Sequence, residues 1–163
     1  MMQGPQTDGA ADPFPSTPRL AFEGGTAYLL SRAGAAARRS WARMLTERGL
    51  TTHHYGVLMA LAELGPTGQQ QLCEVIGIDQ RNAVPVIDVL VERDLLVRDT
   101  DPADRRRRVL VLAPAGQEVV IDLTATGDAL ERDFLRALDA TQQQQLHLML
   151  VALLSGGDKL DNR

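Results

Sequence analysis

The chain has 163 residues, enough for one domain with a substantial core and too few for two full ones. Aromatic residues are only 4% of the chain, while Ala, Leu and Val are plentiful, which favours a mainly helical body over a β-sandwich. The net charge of −4 argues at first sight against nucleic acid as a partner, the single cysteine, Cys73, excludes an intrachain disulfide framework and a thiolate metal cluster, and no apolar run approaches the roughly 20 residues that cross a bilayer, so the expected location is the cytoplasm.

Residues 1–20 carry four prolines within the first 18 positions and no periodic apolar pattern, the composition of a disordered tail. From about 22 to 48, Leu30, Gly34, Ala37, Trp41 and Leu45 recur every three or four residues and predict a long helix. Its run Ala33-Gly34-Ala35-Ala36-Ala37 would let another helix approach closely. Gly49 ends that helix. Thr52 is read as the cap of the next, which runs to about Leu64, where Gly65-Pro66 breaks it. Thr67 followed by Gln70 reads as a capping box opening a short helix to about Ile76.

Gly77 then permits a turn and Asp79 caps a further helix, whose apolar stripe is Val84, Ile87, Leu90, Val91 and Leu95. Two short helices joined by a Gly-containing turn form the pattern of a helix-turn-helix. Leu95–Arg98 and Val109–Leu112 are strand-like runs joined by a polar turn around 99–107, a β-hairpin directly after that motif. Pro114 suits a first helical turn, and Val119, Leu123, Leu130, Phe134 and Leu138 mark a long helix with an interruption expected near Gly127. Thr141 with Gln144 reads as a second capping box, and Leu146, Met149, Leu150 and Leu153 stripe a final helix ending at Gly156-Gly157, before a short C-terminal tail, 157–163. The expected class is mainly α with a small β-hairpin wing: a winged helix-turn-helix over about 50–113, flanked by helices over about 22–48 and 114–155, in a single domain spanning 21–156.

The turn of the hairpin carries four consecutive arginines, Arg105 to Arg108, behind Asp101-Pro102-Ala103-Asp104. Where the charge lies matters more than its sum. Residues 1–18 hold two acids and no base, and residues 118–163 hold eight acids against four bases, so the middle of the chain, 19–117, holds 13 bases against 11 acids. Sixteen of the 17 cations are Arg, so the residue type is uninformative and its placement carries the information.

The stretch 101–117, with its Asp-Pro-x-Asp-Arg-Arg turn, its Val-Leu-Val-Leu strand and its Pro-Ala-Gly helix start, resembles the wing signature of the MarR family of bacterial transcriptional regulators. "GLTTHHYGVLMAL" at 49–61 and "VLVERDLLVRDTDPADRRR" at 89–107 extend the resemblance, which runs from about 25 to 155. It implies a homodimer in which the first and the last two helices interleave, binding double-stranded DNA at an inverted-repeat operator. By position, Arg106 resembles the wing-tip arginine that enters the minor groove, and Asp104 the carboxylate that orients it. A planar, always charged, weakly hydrated guanidinium suits a narrow groove of negative potential. Arg105 and Arg107 would reach flanking phosphates, which position a protein without reading sequence. The competing reading is a solvated turn whose arginines pair with Asp99, Asp101 and Asp104.

Gln80, Arg81 and Asn82 occupy the first turn of the helix that would enter the major groove, where Arg to guanine and Asn to adenine make bidentate contacts. Thr67 and Gln69, at the start of the preceding helix, join them as DNA-facing candidates. Two departures from the resemblance stand out. Pro85 replaces a polar residue and should bend the helix or tighten its start, and Ala113 replaces a Thr and loses a cap hydroxyl worth about 1 kcal/mol. The resemblance also implies a small-molecule effector, for which Arg38, Trp41, His53 and His54 are the candidates: an indole to stack on, and imidazole or guanidinium to meet a carboxylate. No cofactor is implied; the three histidines and Cys73 lack metal-ligand spacing, and Cys73 lies on an apolar stripe where a thiol is inert.

The sequence is read as a DNA-binding transcriptional repressor, with a winged-helix protein–protein module lacking DNA activity as the alternative. An enzyme is not expected, since the chain has no Gly-rich phosphate loop, Ser/His/Asp arrangement or placed carboxylate pair.

Overall fold

The structure is a computed structural model that describes residues 21–101 and 104–157. The expected tail at 1–20 and all of the expected 157–163 tail except Gly157, which ends the last helix, lie outside the described residues, as do Pro102 and Ala103 of the wing turn. A short 3-10 turn, Ala21–Gly24, precedes α1 (Thr26–Glu47), α2 (Thr52–Leu64), α3 (Gln69–Ile76), α4 (Gln80–Glu92), β1 (Leu96–Thr100), β2 (Arg108–Leu112), α5 (Pro114–Phe134) and α6 (Ala140–Gly157). By packing, the chain divides into a unit ending at Arg38 and a larger one from Arg39 onward.

In the first unit Phe22 and Tyr28 meet edge to face, with centroids 5.4 Å apart, and the Arg32 guanidinium lies 5.8 Å from the Tyr28 ring centre. In the larger unit one core joins every element from the end of α1 to α5. Val57, Leu58, Leu72, Ile87, Leu90, Leu96 and Leu123 are its largest fully buried side chains. The 3.6-residue spacing of apolar positions on α2 and α4 puts these side chains on one face of each helix.

The ends of the helices follow local chemistry. After α1 the Leu50 amide donates to the Leu45 carbonyl at 2.9 Å across Gly49, whose φ of 64° lies in the left-handed region. After α3 the Ile78 amide closes the same kind of loop on the Cys73 carbonyl, with Gly77 left-handed at φ 67°. Asp94 takes the corresponding place after α4 at φ 56°, a conformation an L side chain adopts at a cost.

Three cap assignments differ from the sequence reading. Thr51, not Thr52, caps α2, and the box partner is a histidine: the His54 amide donates to Thr51 Oγ1 at 3.2 Å and the Thr51 amide donates to His54 Nδ1 at 3.1 Å. Gly68 stands at the cap of α3 with no side-chain bond, because Thr67 is drawn inward. Its amide and carbonyl pair with Leu110 at 3.1 and 2.8 Å, and its hydroxyl donates to the Gly65 carbonyl at 2.9 Å. The box at α6 is Asp139 with Gln142, each side chain taking the other's amide at 2.9 Å, rather than Thr141 with Gln144. Asp79 caps α4 as expected, its Oδ1 accepting the Arg81 amide at 2.8 Å.

β1 and β2 pair antiparallel, from Leu96 opposite Leu112 to Thr100 opposite Arg108, and the Thr67–Leu110 bridge adds a third edge. Ala113 caps α5 without a side-chain bond, as the missing Thr implies, and Pro114 occupies its first turn. Gly116 is there for space: a Cβ would sit 2.0 Å from the Leu95 carbonyl oxygen. No interruption occurs at Gly127, and α5 runs unbroken. A Cβ on Gly127 would lie 2.8 Å from the Trp41 ring, so this glycine seats the indole instead of ending a helix.

Candidate nucleic-acid interface

α3, the turn Gly77-Ile78-Asp79 and α4 form the helix-turn-helix, with the hairpin directly after it. Gln80, Arg81 and Asn82 are all exposed on the first turn of α4. Asp79 already occupies the electropositive end of that helix, so the turn presents side chains to a partner rather than bare amides to a phosphate. Pro85 sits inside α4, exposed, and the helix continues through it from Gln80 to Glu92. Its ring nitrogen has no hydrogen to give the Arg81 carbonyl one turn back, so that oxygen is left to other donors. Arg98 on β1 pairs with Asp88 on α4 and ties the hairpin to this helix.

The four arginines separate into distinct environments. Asp104 shapes the turn through the main chain: its Oδ1 accepts the Arg106 amide at 3.0 Å and its carbonyl accepts the Arg107 amide at 2.9 Å. The contact between the Asp104 carboxylate and Arg106 is thus made at the Arg106 backbone amide. Arg105 and Arg106 are exposed at the tip. Arg107 folds back onto α3, where its Nη2 lies 3.1 Å from the place a Gly68 Cβ would occupy and donates to Gln71 Oε1 at 3.4 Å. Arg108 Nη1 donates to Thr100 Oγ1 across the hairpin at 3.4 Å. Of the α3 candidates, Gln69 is half-buried and Thr67 is only 3% exposed, with its hydroxyl already engaged.

The effector candidates fare differently. Arg38 is exposed on the part of α1 belonging to the first unit. Trp41 is half-buried, edge-on to Tyr55 with centroids 5.3 Å apart, and rests on Gly127. His53 is exposed, whereas His54 is buried in the capping box with Nδ1 occupied. Burial, then the nearby charges of Arg93 and His53, holds the His54 imidazole below its ordinary pKa, so it is neutral and carries its proton on Nε2. Burial raises the Cys73 thiol, which is inert accordingly. Among the described residues no three His, Cys, Asp or Glu side chains gather as a metal site, and no helix is long and apolar enough to cross a membrane.

Sequence reasoning missed two side chains that tie these elements together. Arg48 and Arg93 bridge segments 44 to 78 residues apart, and no local pattern marks them.

Residues 48–107, from the end of α1 through the wing turn, match the MarR family. Over 124 residues the chain is 32% identical to a protein named as the transcriptional regulatory protein for the hcr operon of Thauera aromatica, covering 76% of this chain and 75% of that one. The chain belongs to the MarR family. It is a transcriptional regulator of the MarR type and not an enzyme. Solved MarR-like structures agree: PcaV from Streptomyces coelicolor is 27% identical with a TM-score of 0.69, covering 83% of this chain and 98% of that one. CouR from Rhodococcus jostii, solved with p-coumaroyl-CoA bound, is 28% identical with a TM-score of 0.65, covering 82% and 94%.

Proposed function

We propose that the protein is a homodimeric repressor that binds an inverted-repeat operator and is released by a small aromatic acid or its thioester. The observation that carries the reading is the set of exposed polar groups on two neighbouring parts of one motif: Gln80, Arg81 and Asn82 opening α4, and Arg105 and Arg106 at the wing tip. The first three read base edges in a major groove, and Arg106 enters the adjacent minor groove. Thr67 leaves the contact set because it is buried with its hydroxyl engaged, while Arg107, exposed beside α3, reaches a flanking phosphate with Arg105.

The apolar surface of α6 supports the dimer. Leu148, Met149, Leu153 and Leu154 are 58%, 59%, 59% and 76% exposed, apolar surface spread around much of the helix that a lone chain would leave in water. Two-fold symmetry then requires two half-sites about one helical turn, roughly 34 Å, apart. Trp41 and Tyr55 offer the stacking surface for an effector, and the p-coumaroyl-CoA of the CouR relative supports an aryl acid or thioester as its class.

The test is to select duplexes from a randomised pool with the purified protein, footprint the winners and weigh the free protein by light scattering. An inverted repeat protected by a dimer is the expected result. A monomer, or no enrichment even at low salt, refutes the reading and leaves a protein–protein module. Small aromatic acids and their CoA thioesters are then screened by quenching of Trp41, and a binder must lower operator affinity by the same factor by which the operator lowers its own.

A further inference from the structure

Two arginines outside the DNA-facing set connect the end of α4 to the middle of α5. Arg93, the C-cap of α4, donates from Nη1 to the Gly49 carbonyl at 2.7 Å and from Nη2 to the Arg48 carbonyl at 3.1 Å. Arg48 reaches the opposite way. Its Nε donates to Asp122 Oδ2 at 2.6 Å and its Nη2 to Thr126 Oγ1 at 2.9 Å, one turn apart on α5, while Nη1 is held by the Met44 carbonyl at 3.1 Å. The Arg48-Gly49 turn is therefore a block clamped on one side by α4 and on the other by α5.

A planar guanidinium bound in three directions fixes an orientation as well as a distance. Stability alone is a weak reason for the arrangement. The Arg48 and Asp122 side chains are 27% and 56% exposed, and pairs so open to water contribute little to folding. What the network does constrain is the angle between two helices. The pair is charged on both sides, the Arg48 guanidinium lowering the Asp122 carboxyl and Asp122 raising Arg48.

We propose that Arg48 is a positioning residue for DNA binding, which together with Arg93 and Asp122 sets the angle of α4 on α5 and so the separation of the two recognition helices in the dimer. The inference rests on the DNA-binding dimer proposed above. Thr126, one anchor of Arg48, precedes Gly127, the seat of Trp41, so a ligand that displaces the indole acts on the same turn of α5.

Three duplexes test it: the inverted repeat selected by the wild-type protein, the same repeat with its half-sites one base pair further apart, and one isolated half-site. Two variants are titrated on all three. Arg48→Met keeps the aliphatic stem and removes the donors; Asp122→Asn keeps the shape of an exposed side chain and removes the charge, so it carries the test should Arg48→Met fail to fold. Affinity for the full repeat should fall about 2- to 30-fold. Half-site affinity and the salt dependence should stay at wild-type values, because no phosphate contact is lost. The preference for the selected spacing should shrink. Variants that keep the wild-type ratio between full repeat and half-site overturn the proposal, and so does an equal loss on all three duplexes, which is the signature of protein lost to misfolding. A wild-type protein that prefers none of the duplexes overturns the DNA-binding reading itself, and it is measured before any variant.

Discussion

Gly116→Ala should be among the most damaging single-methyl additions in the chain. The new Cβ would lie 2.0 Å from the Leu95 carbonyl oxygen, 3.0 Å from its carbon and 3.3 Å from Leu112 Cδ2, where favourable contacts begin at about 3.5 Å. The main chain at Leu95 or the start of α5 must therefore retreat by more than about 1 Å. That same Leu95 oxygen accepts the amide of buried Ala113 at 3.0 Å, so the retreat strains or breaks this bond. Overpacking costs about 1–3 kcal/mol and a buried carbonyl left short of its donor about 1–3 kcal/mol, while alanine in a helix returns about 1 kcal/mol. The expected net loss is about 3 kcal/mol, read by urea unfolding followed by Trp41 fluorescence at one fixed protein concentration. Gly156→Ala is the control, because nothing lies within 4 Å of its Cβ and its stability should be unchanged or slightly higher. A Gly116→Ala protein as stable as wild type would refute the close approach of α5 to the start of the hairpin.

Arg106→Ala should weaken binding to every sequence and lower the salt slope by about 1, whereas Arg81→Ala or Asn82→Ala should change the preferred bases at a cost of about 1–3 kcal/mol; titrations at several salt concentrations against base-substituted operators separate the two. Asp94→Gly should stabilise the protein by about 0.5–1 kcal/mol in the same urea assay, because glycine takes φ 56° without a Cβ penalty. His54 is held below its ordinary pKa, so its contribution is fully present above about pH 6.5 and fades as pH falls from there through the lowered folded value. Protonation also removes the Nδ1 acceptor for the Thr51 amide, and His54→Gln, whose side chain suits the same box without titrating, should flatten the melting temperature between pH 8 and 5.

Helix existence and order were legible because they depend on local chemistry: apolar spacing, left-handed glycines at 49 and 77, the Gly65-Pro66 break, and Asp79. Cap registers were less so, since several cap-competent residues stand side by side. Thr51 and Thr52 are identical, and the choice falls to Thr51 because the residue three further on is His54, whose ring nitrogen plays a part usually written as Glu or Gln. Thr67 fits the capping pattern perfectly well in sequence, yet a tertiary demand overrides it: its backbone is needed to pair with Leu110, 43 residues away. Gly127 was misread for the same reason, since its neighbour Trp41 lies on another helix. Arg48 and Arg93 carry no local signal at all.

The run of four arginines shows why a charge count says so little about a site. A turn followed by a strand rotates successive side chains into different surroundings, so neighbours in sequence acquire different partners. Arg105 and Arg106 stay at the tip, Arg107 turns back to Gly68 and Gln71, and Arg108 crosses to Thr100. Gly68 leaves room for Arg107: a Cβ there would lie 3.1 Å from the guanidinium, which would have to shift by a few tenths of an ångström. The net charge of −4 is compatible with DNA binding on the same ground, since the excess acids lie in residues 1–18 and 118–163, outside the helix-turn-helix and its hairpin.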